Sequence, residues 1–78
     1  MRYIKKVMPM PGYRLHMEME SGSTVTVDFS NKLRTAKYAE LADEDFFNTA
    51  TTDGDYVTWG CERVRLTVYE LVEVVLRG

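Results

Sequence analysis

Residues 13–29 read Tyr13-Arg14-Leu15-His16-Met17-Glu18-Met19-Glu20-Ser21-Gly22-Ser23-Thr24-Val25-Thr26-Val27-Asp28-Phe29. In an extended chain successive side chains alternate between faces, so Tyr13, Leu15, Met17 and Met19 share one face and Arg14, His16, Glu18 and Glu20 the other. Val25, Val27 and Phe29 repeat the pattern against Thr24, Thr26 and Asp28. The two apolar sets then choose the turn between them. A two-residue Ser21-Gly22 loop would set Glu18 against Val25 and place the apolar sets on opposite faces. A three-residue loop, Glu20-Ser21-Gly22 with Gly22 left-handed, sets Met17 against Val25, Leu15 against Val27 and Tyr13 against Phe29. The three-residue loop is therefore expected, with Arg14 opposite Asp28 and His16 opposite Thr26 on the polar face.

Working outward, Pro11-Gly12 suits the central positions of a type II turn, which joins a first strand over residues 2–8 to the alternating strand. Ser30 ends the hairpin and is placed to cap a short helical turn through Leu33. Residues 36–50 read as one or two short helices, with Tyr38, Leu41, Ala42 and Phe46 at helical spacing and Asp43 as N-cap of the second. Asp53-Gly54 signals a second hairpin, between residues 49–52 and 55–59, with Ala50 facing Val57 and Trp59 on the same side. Arg63–Leu66 adds a short strand. Thr67-Val68-Tyr69-Glu70 is a capping box that opens a terminal helix. Its apolar stripe is Val68, Leu71, Val72, Val75 and Leu76, with Glu73 and Arg77 as an i,i+4 pair and Gly78 at its end. The expected architecture is α+β: antiparallel hairpins or a β-meander, short central helices, and a C-terminal amphipathic helix packed on one face.

The 78 residues make a single domain, 1–78, with 45% hydrophobic and 28% charged residues. Ten Lys plus Arg against twelve Asp plus Glu give a net charge of −2, which does not favour strong capture of nucleic acid. No apolar run approaches the ~18 residues of a membrane span. The single cysteine, Cys61, forms no internal disulfide and fits a reducing cytoplasm. Folding a chain of this size buries roughly 8,000 Å² by area scaling. If a little over half of that is apolar, its burial contributes about 115 kcal/mol, and ordering the residues costs about the same. A chain so balanced gains stability from an added surface, its own copy or another protein.

Residues that could carry chemistry have simpler readings. His16 is the one histidine, and it lies between Arg14 and Glu18 on the polar face of a strand rather than beside a nucleophile. Cys61 reads as a small, partly buried residue after a turn, with no second cysteine for dithiol chemistry. Asp43-Glu44-Asp45 suits a helix start, and Asp53-Gly54-Asp55 is turn chemistry; neither has the ligand spacing of a calcium loop. No glycine-rich phosphate loop is present. These readings point to no catalytic residues, no metal and no cofactor. Lys32, Arg34 and Lys37 form a small basic patch in the crossover, solvated by default and otherwise a contact for phosphate or an acidic surface. Arg63 and Arg65 share a face of the last strand and, with Val75 and Leu76, are candidate partner contacts. Tyr13, Phe29 and Trp59 fall at apolar strand positions, as core residues rather than a stacking platform.

Several short motifs recur in a familiar order. They are Ile4-Lys5-Lys6-Val7, Pro11-Gly12-Tyr13-Arg14-Leu15, Gly22 and Val27-Asp28-Phe29-Ser30, then Leu41-Ala42-Asp43 with Phe46-Phe47. Asp53-Gly54, Val57-Thr58-Trp59, Leu66-Thr67 and Glu70-Leu71 complete the order. The chain resembles, over nearly its whole length, the small bacterial domain of unknown function catalogued as twenty-four forty-two. That resemblance implies a compact α+β protein with no established activity, encoded in many cases beside another small protein in the manner of toxin–antitoxin pairs. The chain departs from the pattern after Trp59. Gly60-Cys61-Glu62 and Arg65 replace the usual Asn-Gly turn and following Asp, and the last helix is more apolar. Any role tied to that Asp is not carried over. No helix-turn-helix lies in these 78 residues, so direct DNA reading is not expected.

The resulting expectation is a non-enzymatic protein-interaction module, the acidic partner of a small protein in an antitoxin-like pair. The alternatives are a nucleic-acid-associated regulator using the basic residues, or a homodimeric structural domain.

Overall fold

The structure is a computed structural model that describes residues 3–77; Met1, Arg2 and Gly78 lie outside the described residues, as do the side chains of Lys37, Leu76 and Arg77. The predicted Glu73–Arg77 pair and the Gly78 terminus therefore fall outside it. In chain order the elements are β1 (Ile4–Met10), β2 (Arg14–Met19), β3 (Thr24–Asp28), a 3-10 segment (Ala36–Ala42) and α1 (Glu44–Phe47). β4 (Thr51–Thr52), β5 (Tyr56–Trp59), β6 (Val64–Thr67) and α2 (Val68–Arg77) follow. The fold is α+β, with two three-stranded antiparallel sheets, β1-β2-β3 and β4-β5-β6.

The central hairpin has the expected register. Leu15 pairs with Val27, Met17 with Val25, Arg14 with Asp28 and His16 with Thr26. Gly22 is left-handed at φ 93°, in the three-residue loop closed by Met19 N–H donating to Ser23 O at 2.8 Å. Any Cβ at this φ is strained, so glycine is the residue that closes the turn cheaply. Leu15 and Val27 are fully buried, which fixes the face alternation in the core.

β1 runs further than expected, to Met10, and tolerates Pro9 because it borders its sheet on one side. Ile4 and Val7 are three residues apart, which no regular strand can place on one face. The pairing shifts between Ile4 opposite Met19 and Lys6 opposite Glu18, a bulge at Lys5 that turns both apolar residues inward. The loop after β1 gives Gly12 the positive φ, 81°, that the expected type II turn requires there, and takes in Tyr13 as well. Met10 pairs with Arg14, leaving Pro11-Gly12-Tyr13 as a three-residue loop in which Gly12 and Tyr13 are both left-handed. Tyr13 is held there by its ring, edge-on to Phe47 at 5.6 Å, and by its hydroxyl, which donates to the Ala42 carbonyl.

Ser30 caps no helix. Its amide donates to Asp28 Oδ1 at 2.8 Å, and residues 30–34 form turns because this contact closes the chain at Asp28 instead. Asp43 is the N-cap of α1, accepting from Asp45 N–H at 3.0 Å. Phe47 rather than Ala42 reaches the core there, with Phe46 half-buried beside it.

The second hairpin keeps the expected faces but not the expected register. Thr52 pairs with Val57 and Thr51 with Thr58, so the pairing slides by two residues from Ala50 opposite Val57. The wider loop is built by its own side chains. Asp53 Oδ1 accepts from Asp55 and Tyr56 amides at 2.9 and 3.0 Å, and Thr52 Oγ1 accepts from Gly54 N–H while donating to Tyr56 O at 2.7 Å. Gly54 is buried, and its carbonyl accepts from the Tyr3 and Ile4 amides at 2.8 and 2.9 Å. That shared acceptor ties the two sheets together at β1.

The opposite seam, between β3 and β6, is bridged by α2, which packs chiefly on those two strands. Between the sheets lies one cluster of buried side chains, centred on Phe29, Phe47 and Trp59. Phe29 meets Trp59 edge-on at 5.9 Å and Phe47 at the same distance, a geometry that ring quadrupoles favour. Tyr13, Phe29 and Trp59 are thus packed against the interior.

Candidate functional site

α2 begins as the sequence dictates. Thr67 Oγ1 accepts from Glu70 N–H at 3.1 Å while Glu70 Oε1 accepts from Thr67 N–H at 3.0 Å, a reciprocal capping box. The helix then buries Leu71 and Val74, with Val68 half-buried. Val75, named above as a candidate partner contact, is 47% exposed, and Val72 is 46% exposed. The helix is rotated by about one residue step, ~100° at 3.6 residues per turn, from the orientation its stripe alone predicts. Bridging two strands rather than lying on one sheet is the cause: Val74 is drawn beside Thr26, Asp28 and Asn31 at the β3 side.

That rotation opens a groove. Its floor is the apolar face of the first sheet, Ile4, Met17, Met19, Val25 and Val27, and its wall is Val68, Leu71, Val72 and Val75 of α2. The cavity is about 230 Å³ and every residue lining it is apolar. It offers no hydrogen-bonding or titratable side chain, so it can hold aliphatic or aromatic groups but cannot orient a polar substrate. Continuing around the helix, Tyr69 is 83% exposed, and with Val72 and Val75 it forms a stripe at three-residue spacing. On its far flank a cleft is lined by Tyr38, Tyr69, Glu70 and Glu73.

The other predicted contacts are not gathered here. Arg63 precedes β6 rather than sharing a strand face with Arg65. Its Nε lies 2.8 Å from Glu40 Oε2, while the Arg65 guanidinium sits 4.6 Å over the Tyr56 ring. Each arginine is engaged within the chain, one by charge and one by a cation–π contact. Lys32 is half-buried and Arg34 exposed; the side chains of Lys37 and Leu76 lie outside the described residues. His16 Nδ1 is 3.1 Å from Thr26 Oγ1 across the strand pair.

Cys61 is exposed, not partly buried, because it sits within a left-handed turn: Gly60, Cys61 and Glu62 have φ of 60°, 57° and 70°. Gly60 is required twice over. A Cβ there would lie 2.3 Å from Phe46 Cε1, and the φ itself disfavours a side chain.

The Asp28 carboxyl has a lowered pKa. The Ser30 hydroxyl and then the Ser30 amide, with a smaller contribution from Arg14 across the pair, hold the carboxyl below its ordinary 3.8. No three His, Cys, Asp or Glu side chains gather into a metal-binding group among the described residues, and no helix there is long and apolar enough to cross a membrane. The Val72–Val75 stripe was within reach of the sequence, whose apolar periodicity named it. The sheet face that completes the groove was not, since it depends on the helix rotation. No protein-family profile, curated protein or solved structure matches the chain.

Proposed function

We propose that this chain is a non-enzymatic protein-interaction module, which takes an apolar segment of a small partner protein along α2 and into the groove beside it. The observation that carries the reading is the pair Val72 and Val75, about half exposed on a helix whose neighbouring groove is apolar throughout. Contiguous exposed apolar surface of this kind marks binding sites more often than isolated residues do. The net charge of −2 favours a partner with basic as well as apolar side chains over nucleic acid. The family resemblance implies a partner encoded beside this chain.

The test is tagged expression in the native host, with the mass and content of the purified complex measured for wild type and for Val72→Asp. Wild type should carry a stoichiometric second protein. Val72→Asp should lose it by at least ~10-fold in affinity, while its thermal midpoint stays within a few degrees because Val72 is already half in water. The Val75→Ala, Leu76→Ala double variant should likewise weaken association more than folding. A wild-type protein that elutes as a clean monomer or homodimer overturns the reading, as does a Val72→Asp protein that retains its partner.

A further inference from the structure

We draw no further inference here: the strongest candidate, the apolar groove between α2 and the β1-β2-β3 face, belongs to the site already described, and nothing in the structure shows what covers it.

Discussion

The two hairpins reach antiparallel pairing by different means. In β2–β3, five residues pair on each strand, and sliding the register by one residue would turn Leu15 and Val27 out of the core. In β4–β5 only Thr51 and Thr52 pair, so facial burial constrains little. There the register is set by the turn, through Asp53 and Thr52 side chains that bind the loop's own amides. Long strands are registered by their faces and short ones by their loops.

Substitutions at the turns separate these mechanisms. The largest effect is expected at the exit of β5, where Gly60→Ala adds a Cβ against the Phe46 ring as well as at a left-handed φ. Overpacking and backbone strain together should cost about 2–4 kcal/mol, read from the denaturant midpoint. A loss under ~1 kcal/mol would show that the Phe46 ring moves aside freely. Asp53→Ala should cost about 1–2 kcal/mol and unsettle the β4–β5 register, visible as amide exchange at Thr51 and Thr58. Unchanged protection at both residues would mean that burial, not the loop, holds that pairing. Gly22→Ala meets no atom within 4 Å and bears only the backbone penalty, about 1 kcal/mol. Its β2–β3 register should survive, and a shifted cross-strand contact between Met17 and Val25 would contradict facial registration.

The smallest effect is at Asp28, whose lowered pKa means that the folded state favours the ionised carboxylate. Its contribution is present above the unfolded-state value and is lost as pH falls through the folded value. Asp28→Asn should therefore slightly lower stability at neutral pH and flatten the acid limb, the two proteins converging below about pH 4. An acid limb identical to wild type would show that another group sets it.

The same contrast explains what could be read without coordinates. The Asp43 N-cap and the Thr67–Glu70 capping box rest on neighbours within a few residues, and the central hairpin on two alternating strands joined by a three-residue loop, so the sequence displays both partners. The Lys5 bulge and the rotation of α2 depend on groups brought together by the tertiary fold. Gly54 binding Tyr3 and Ile4 is one such case, since about fifty positions separate donor from acceptor. The candidate site was half legible for this reason. Its helix side is a periodic stripe, whereas its floor belongs to strands read as ordinary core. Cys61 shows the limit most plainly: nothing in Gly60-Cys61-Glu62 announces three consecutive left-handed residues, and that conformation is what brings the thiol to the surface.

The bridging helix also imposes an order of events during synthesis. All six strands precede α2 in the chain, so both sheets emerge from the ribosome before the element that joins β3 to β6. Until Leu71 and Val74 arrive, the inner faces of Val27 and Leu66 meet water along an open side, and the nascent chain is at its most sticky. Docking of ten helical residues thus ends this exposure.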